Sequence, residues 1–145
     1  MHEVVAAYRL LIADVYELAG LSRRTSEDLA RSVGQTAARW HVLSVLSDGP
    51  RTVPAAARRL GLAPQSGQRV VGDLLDSGHV EAVDNPDHVR SPLMRLTALG
   101  RETVTGLFTR SDDDRAALLA RAEVTADELA AARGVLRRLV GAMRD

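Results

Sequence analysis

The sequence predicts a mainly α-helical fold with one small β-hairpin near its middle. Three observations predict it. Alanine and leucine dominate long stretches, which favours helix by intrinsic propensity. Apolar residues recur at helical spacing on both sides of the centre. Between His79 and Leu96 the pattern changes to two short alternating runs around a turn cluster.

Composition bounds the answer before any element is placed. Apolar residues make up 46% of the 145 and charged residues 26%, an ordinary balance for a folded domain with its own core. Aromatics are 3%, so Leu, Val and Ala must build that core. Cysteine is absent, which removes disulfides, thiolate nucleophiles and cysteine zinc sites, and agrees with the expected cytoplasmic location. Near the start, Glu3, Asp14 and Glu17 interrupt the apolar run and no basic leader precedes it, so neither a signal peptide nor a membrane span is expected. His2, His41, His79 and His88 lack metal-ligand spacing, and no acid pair or nucleophile motif stands out. No catalytic residue, metal or cofactor is expected.

The elements follow in order. Residues 3–19 form an amphipathic helix, with Val4, Ala7, Tyr8, Leu11, Val15 and Leu18 on one face. Gly20 is placed to kink or end it, with helix resuming over 22–32. Thr36 is a good N-cap for a helix in which Trp40, Leu43 and Leu46 repeat, and Asp48-Gly49-Pro50 stops that helix. Thr52 caps a short helix with Pro54 in its first turn. Val53, Ala56, Ala57 and Leu60 make one buried stripe there, Arg58 and Arg59 point away, and Gly61 closes it. Pro64 opens the next helix, which runs to about Ser77 with Val70, Val71, Leu74 and Leu75 inward. Two short helices joined by a glycine-containing turn make a helix-turn-helix unit.

A first strand follows at once over 79–83, then the turn Asp84-Asn85-Pro86-Asp87, then a second strand at Leu93-Met94-Arg95-Leu96. That hairpin sits directly behind the second helix of the pair, where a wing belongs. Thr97 caps another helix, with Gly106 and Asp112 to Asp114 as weak points before residue 122. Thr125 and Glu128 have capping-box spacing and open a last helix with Leu129, Leu136, Leu139 and Val140 inward.

From Thr52 to Gly100 the sequence resembles the MarR family of winged helix-turn-helix regulators. GPRTVPAAARRLGLA matches the first helix and turn, PQSGQRVVGDLLDSGHVE the recognition helix and first strand, and NPDHVRSPLMRLTALG the wing and following helix. The resemblance implies a single domain over 1–145, with a DNA-binding lobe at 36–101 and dimerisation helices at 3–33 and 102–143. It implies a homodimeric regulator, a repressor, on a pseudo-palindromic operator in double-stranded DNA. It further implies release by a small aromatic effector, for which Tyr8, Leu11, Trp40 and His41 are the pocket candidates; Trp40 also suits the core. Packing of the flanking helices within one monomer is the alternative to dimerisation.

Four residues depart from the family pattern. His88 and Val89 stand where the wing usually carries an acidic residue and the first of two adjacent arginines, leaving Arg90 as its cation. Ala63 replaces the serine cap of the recognition helix, forfeiting about 1 kcal/mol. Gly67 falls on that helix's buried face, and close approach of the preceding helix is the simplest reason for it.

A major groove admits one helix, whose front half reaches base edges. The candidates there are Pro64, Gln65, Ser66, Gln68 and Arg69, since Gln pairs with adenine, Arg with guanine and Ser with phosphate. Arg51, Arg58 and Arg59 are candidate phosphate contacts, and Arg90 at the wing tip suits a narrow minor groove. Asp73 and Asp76 on the back half would repel phosphates. Net charge is zero for the chain, and residues 36–97 hold seven arginines against six acids. Specificity must then come from placement rather than bulk attraction. A winged-helix module used only for protein interaction or dimerisation is the alternative, kept open by Val89 and the near-neutral lobe.

Overall fold

The structure is a computed structural model that describes residues 1–145. Its order is α1 (His2–Arg31), α2 (Ala37–Leu46), β1 (Arg51–Thr52), α3 (Val53–Leu60), α4 (Pro64–Asp76), β2 (Val80–Val83), β3 (Leu93–Leu96), α5 (Ala98–Ala122) and α6 (Ala126–Arg144). Two compact units divide at residue 108: Met1–Phe108 and Thr109–Asp145. No helix is long and apolar enough to cross a membrane.

The first unit is held by one apolar core. Trp40, Leu43 and Leu46 from α2 meet Val70, Val71 and Leu74 from α4, Val80, Met94 and Leu96 from the sheet, and Val104 and Leu107 from α5. Leu43 and Leu74 are wholly buried. Burying a side chain of that size stabilises the fold by about 1.5–3 kcal/mol. The expected caps are present: Thr36 Oγ1 accepts from Arg39 N, and Thr52 Oγ1 from Ala55 N. Thr97 Oγ1 accepts from Gly100 N and donates to the Gly78 carbonyl, so it ties the start of α5 to the end of α4. Glu27 reaches from α1 to the free N–H of Ala37 at 3.2 Å and caps α2 from outside.

Several expectations are corrected. Gly20 does not end α1, and neither Gly106 nor Asp112 to Asp114 interrupts α5. One glycine costs a helix at most about 1 kcal/mol, and the helix formers on either side outweigh it. The sheet has three strands rather than two, in the order β1-β3-β2. The extra strand is only Arg51–Thr52, paired with Met94 and Leu93, too short for any alternation to show. Leu75 is 38% exposed, not inward, because Val71 and Leu74 already fill the face toward the core.

In the second unit, Thr125 and Glu128 form the expected capping box: Thr125 Oγ1 accepts from Glu128 N, and Glu128 Oε1 accepts from Thr125 N. The expected inward stripe of α6 is not buried. The helix has no buried residue, and Leu129 and Leu136 stay exposed. Leu139 and Val140 are half-buried.

Candidate nucleic-acid interface

Three short stretches of backbone place the candidate side chains. The first is the α3–α4 turn. Gly61 adopts a left-handed conformation (φ 66°), and its N–H and that of Leu62 close the end of α3 on the Ala57 carbonyl. Only glycine takes that conformation without strain. Two residues later Pro64 opens α4. Ala63, at the N-cap, accepts no side-chain bond, so this helix starts without the stabilisation its neighbours have.

The second is the crossing of α3 and α4. A Cβ on Gly67 would lie 2.8 Å from the Ala57 Cβ, closer than two carbons tolerate. The close approach expected from the sequence is therefore present. It locks the two helices at one spacing and turns Gly67 and Val70 inward. Pro64, Gln65, Gln68 and Arg69 consequently face solvent on the other side, with Ser66 half-buried. Arg69 has no ion pair within the chain. Behind them, Asp73 is neutralised by Arg39 of α2, Nη2 to Oδ2 at 3.2 Å. The sequence reading missed that pair, since the partners lie 34 residues apart with no local signal. It braces the rear of α4 and lowers the negative charge there.

The third is the hairpin. Glu81 and Arg95 face each other across β2 and β3 and form an ion pair at 2.7 Å, so Arg95 is structural. Asn85 builds the turn: its Oδ1 accepts from Asp87 N, and its Nδ2 donates to the Ser91 carbonyl. His88, Val89 and Arg90 project from the tip, with Val89 95% exposed. Of the three remaining candidate cations, Arg58 and Arg59 are exposed on α3. Arg51 is half-buried, with its Nε sealed from solvent.

The four pocket candidates are not brought together. Trp40 is a core residue, 2% exposed. Its ring lies 6.1 Å from that of His41, which lines a hollow of about 410 Å³ with Ser22, Arg23 and Glu27 of α1, Ala38, and Leu60 of α3. Tyr8 and Leu11 lie further toward the start of α1 and do not line it.

An exposed front half of α4, a braced rear and a hairpin tip beside it make the arrangement a winged helix-turn-helix. A profile described as the MarR family matches residues 33–91, which covers all of it but the last strand. The chain belongs to the MarR family. Its relatives include an uncharacterized protein of Mycobacterium tuberculosis strain H37Rv, Rv2011c, 46% identical over 134 residues and 92% of each chain. Among solved structures, the transcriptional regulator BldR from Sulfolobus solfataricus superposes with a TM-score of 0.80 at 16% identity, over 92% of this chain and 97% of that one. A MarR mutant from E. coli in complex with operator DNA gives a TM-score of 0.68 at 22% identity, over 94% and 95%. These likenesses extend over the flanking helices, beyond the stretch that the family profile matches.

Proposed function

We propose that this MarR-family chain is a sequence-specific, homodimeric regulator of transcription, a repressor bound to a pseudo-palindromic operator. The observation that carries the reading is the rigid presentation of Gln65, Gln68 and Arg69 on the outer face of α4. Each is a forked hydrogen-bonding group, and Arg69 and the wing's Arg90 are unpaired within the chain. The complex of the E. coli relative with operator DNA supports it. Dimerisation is supported by the apolar stripe that α1 leaves in water at Val4, Leu11 and Leu18. A two-fold pair would present two recognition helices to half-sites about one helical turn apart. The hollow beside His41 would admit a small aromatic effector, and its occupation would perturb the fluorescence of the neighbouring Trp40.

Selection from random double-stranded DNA tests the reading. Wild type should return a two-fold symmetric motif. Arg69→Ala should return that motif with one position per half-site degenerate, at a cost of about 1–3 kcal/mol per contact. Gln68→Ala should relax a neighbouring position. Identical motifs from all three proteins would remove base reading from these side chains, and no motif at all would favour a protein-interaction module.

A further inference from the structure

Arg69 and Asp73 stand four residues apart on α4, both exposed, at the spacing where an arginine and a carboxylate on a helix ordinarily pair. They do not pair. The Asp73 carboxylate turns instead to Arg39 of α2, Nη2 to Oδ2 at 3.2 Å, and Arg69 has no ion pair. The residues three and four positions from Arg69 are Gln65, Ser66, Gly72 and Asp73, and Asp73 alone among them is acidic. It is therefore the carboxylate of α4 best placed to capture the Arg69 guanidinium. Two features let Arg39 win it. The Arg39 side chain is 35% exposed and rooted in the first turn of α2, where its N–H bonds to Thr36 Oγ1. Holding it in one geometry costs less side-chain entropy than holding the exposed Arg69. Order along α4 also counts: a base four residues before an acid pairs less well than an acid four residues before a base.

The consequence falls on the face that meets the groove. A guanidinium already paired with a carboxylate must break that pair before it forks onto guanine, so a captured Arg69 would discriminate less between bases. We propose that Arg39 is a positioning residue for base reading: by holding Asp73 it keeps Arg69 free for the major groove. Arg39 acts through Asp73 and not by contact with a base. This role rests on the reading of Arg69 as a base-contacting side chain.

Capture is read first on the free, nitrogen-15-labelled full-length protein. The signal is the Arg69 Nε–H resonance, identified by its loss in Arg69→Ala. Asp73→Asn should move that resonance far more in an Arg39→Ala background than in the wild-type background. The consequence is then read with DNA, as the ratio of affinities for the selected motif and for that motif changed at the Arg69-dependent base pair. Arg69→Ala should erase the preference. Arg39→Ala should lower it by about twofold, the size of one helical ion pair. The double variant Arg39→Ala, Asp73→Ala should restore it, whereas a brace lost with Arg39 would not return when its partner is removed as well. Equal sensitivity of the Arg69 resonance to Asp73→Asn in both backgrounds would overturn the role of Arg39. So would an unchanged preference in Arg39→Ala, or a double variant no better than Arg39→Ala. An Arg69→Ala that keeps the full preference would instead overturn base reading by Arg69, and the role of Arg39 with it.

Discussion

Helices α4 and α1 carry apolar stripes of the same kind, at the same helical spacing, and meet opposite fates. Val70, Val71 and Leu74 of α4 are 9%, 2% and 0% exposed, while Val4, Leu11 and Leu18 of α1 are 68%, 38% and 67% exposed. The α4 stripe meets α2, α3 and the sheet inside its own unit, whereas no residue in the first half of α1 is buried. Periodicity says that a face will be covered. It does not say whether the same chain covers it. A second copy of the chain is the cover proposed for the stripe of α1.

The largest break should come in the covered region, at Gly100. A Cβ there would run into the backbone carbonyl of His79, and backbone cannot yield as a flexible side chain can. Alanine improves helix propensity by up to about 1 kcal/mol. Overpacking against a fixed group costs more, so Gly100→Ala should lose about 3 kcal/mol or more. A urea midpoint equal to wild type would show that α5 can shift away from His79.

Next in size is a change in the uncovered region. Leu18→Glu costs an isolated chain little, because the side chain is already in water. If a second copy covers it, the variant loses a buried leucine worth about 1.5–3 kcal/mol and adds two like charges across the two-fold axis. Light scattering should then give a dimer for wild type and a monomer for Leu18→Glu at the same micromolar concentration. A monomeric wild type, with and without DNA, ends the dimer. Equal masses for two dimers move the interface off this stripe.

A smaller effect belongs to the crossing of α3 and α4. Gly67→Ala must push the Ala57 Cβ away, at an overpacking cost of about 1–3 kcal/mol against a helix gain of up to about 1. The net loss should be about 1 kcal/mol, and Ala57→Gly should recover part of it in the double variant by clearing the space. Denaturation of the four proteins in a cycle measures this. Additive losses would mean that the two positions do not touch.

What was legible in the sequence was whatever depends on neighbours along the chain. Thr36, Thr52 and Thr125 announced caps because a cap is completed three residues away. Gly61 announced a left-handed turn, and the alternation around Asn85 announced the hairpin. Gly67 could be read as a close contact because the stripe it interrupts was already placed. The strand Arg51–Thr52 was illegible, since two residues have no period and its partner is β3, some 40 residues on. The Arg39–Asp73 pair failed for the same reason. At the site, exposure of Gln65, Gln68 and Arg69 followed from helical phase alone. The burial of the Arg51 Nε did not, because Arg51 lies on the short strand whose partner, β3, is some 40 residues on.

The finest test concerns Val89, another apolar side chain left in water. At 95% exposure it does not pack against Leu93, so the wing tip is free to reach a partner. Unlike Leu18 it stands alone, flanked by His88 and Arg90, both exposed. A single apolar residue between polar ones suits a surface that meets the sugar edges of a groove better than a protein interface. If the wing meets DNA, Arg90→Ala should weaken binding on every sequence and make the salt slope shallower by about one unit, because one phosphate contact is lost. Val89→Arg should tighten binding and steepen the slope by a similar amount. If the tip meets a second protein instead, Val89→Arg should weaken self-association and leave DNA affinity unchanged. Affinity at three salt concentrations, with the mass of each variant by light scattering, separates the two. Flat agreement with wild type in both measurements would leave the tip without a partner and place recognition in α4 alone.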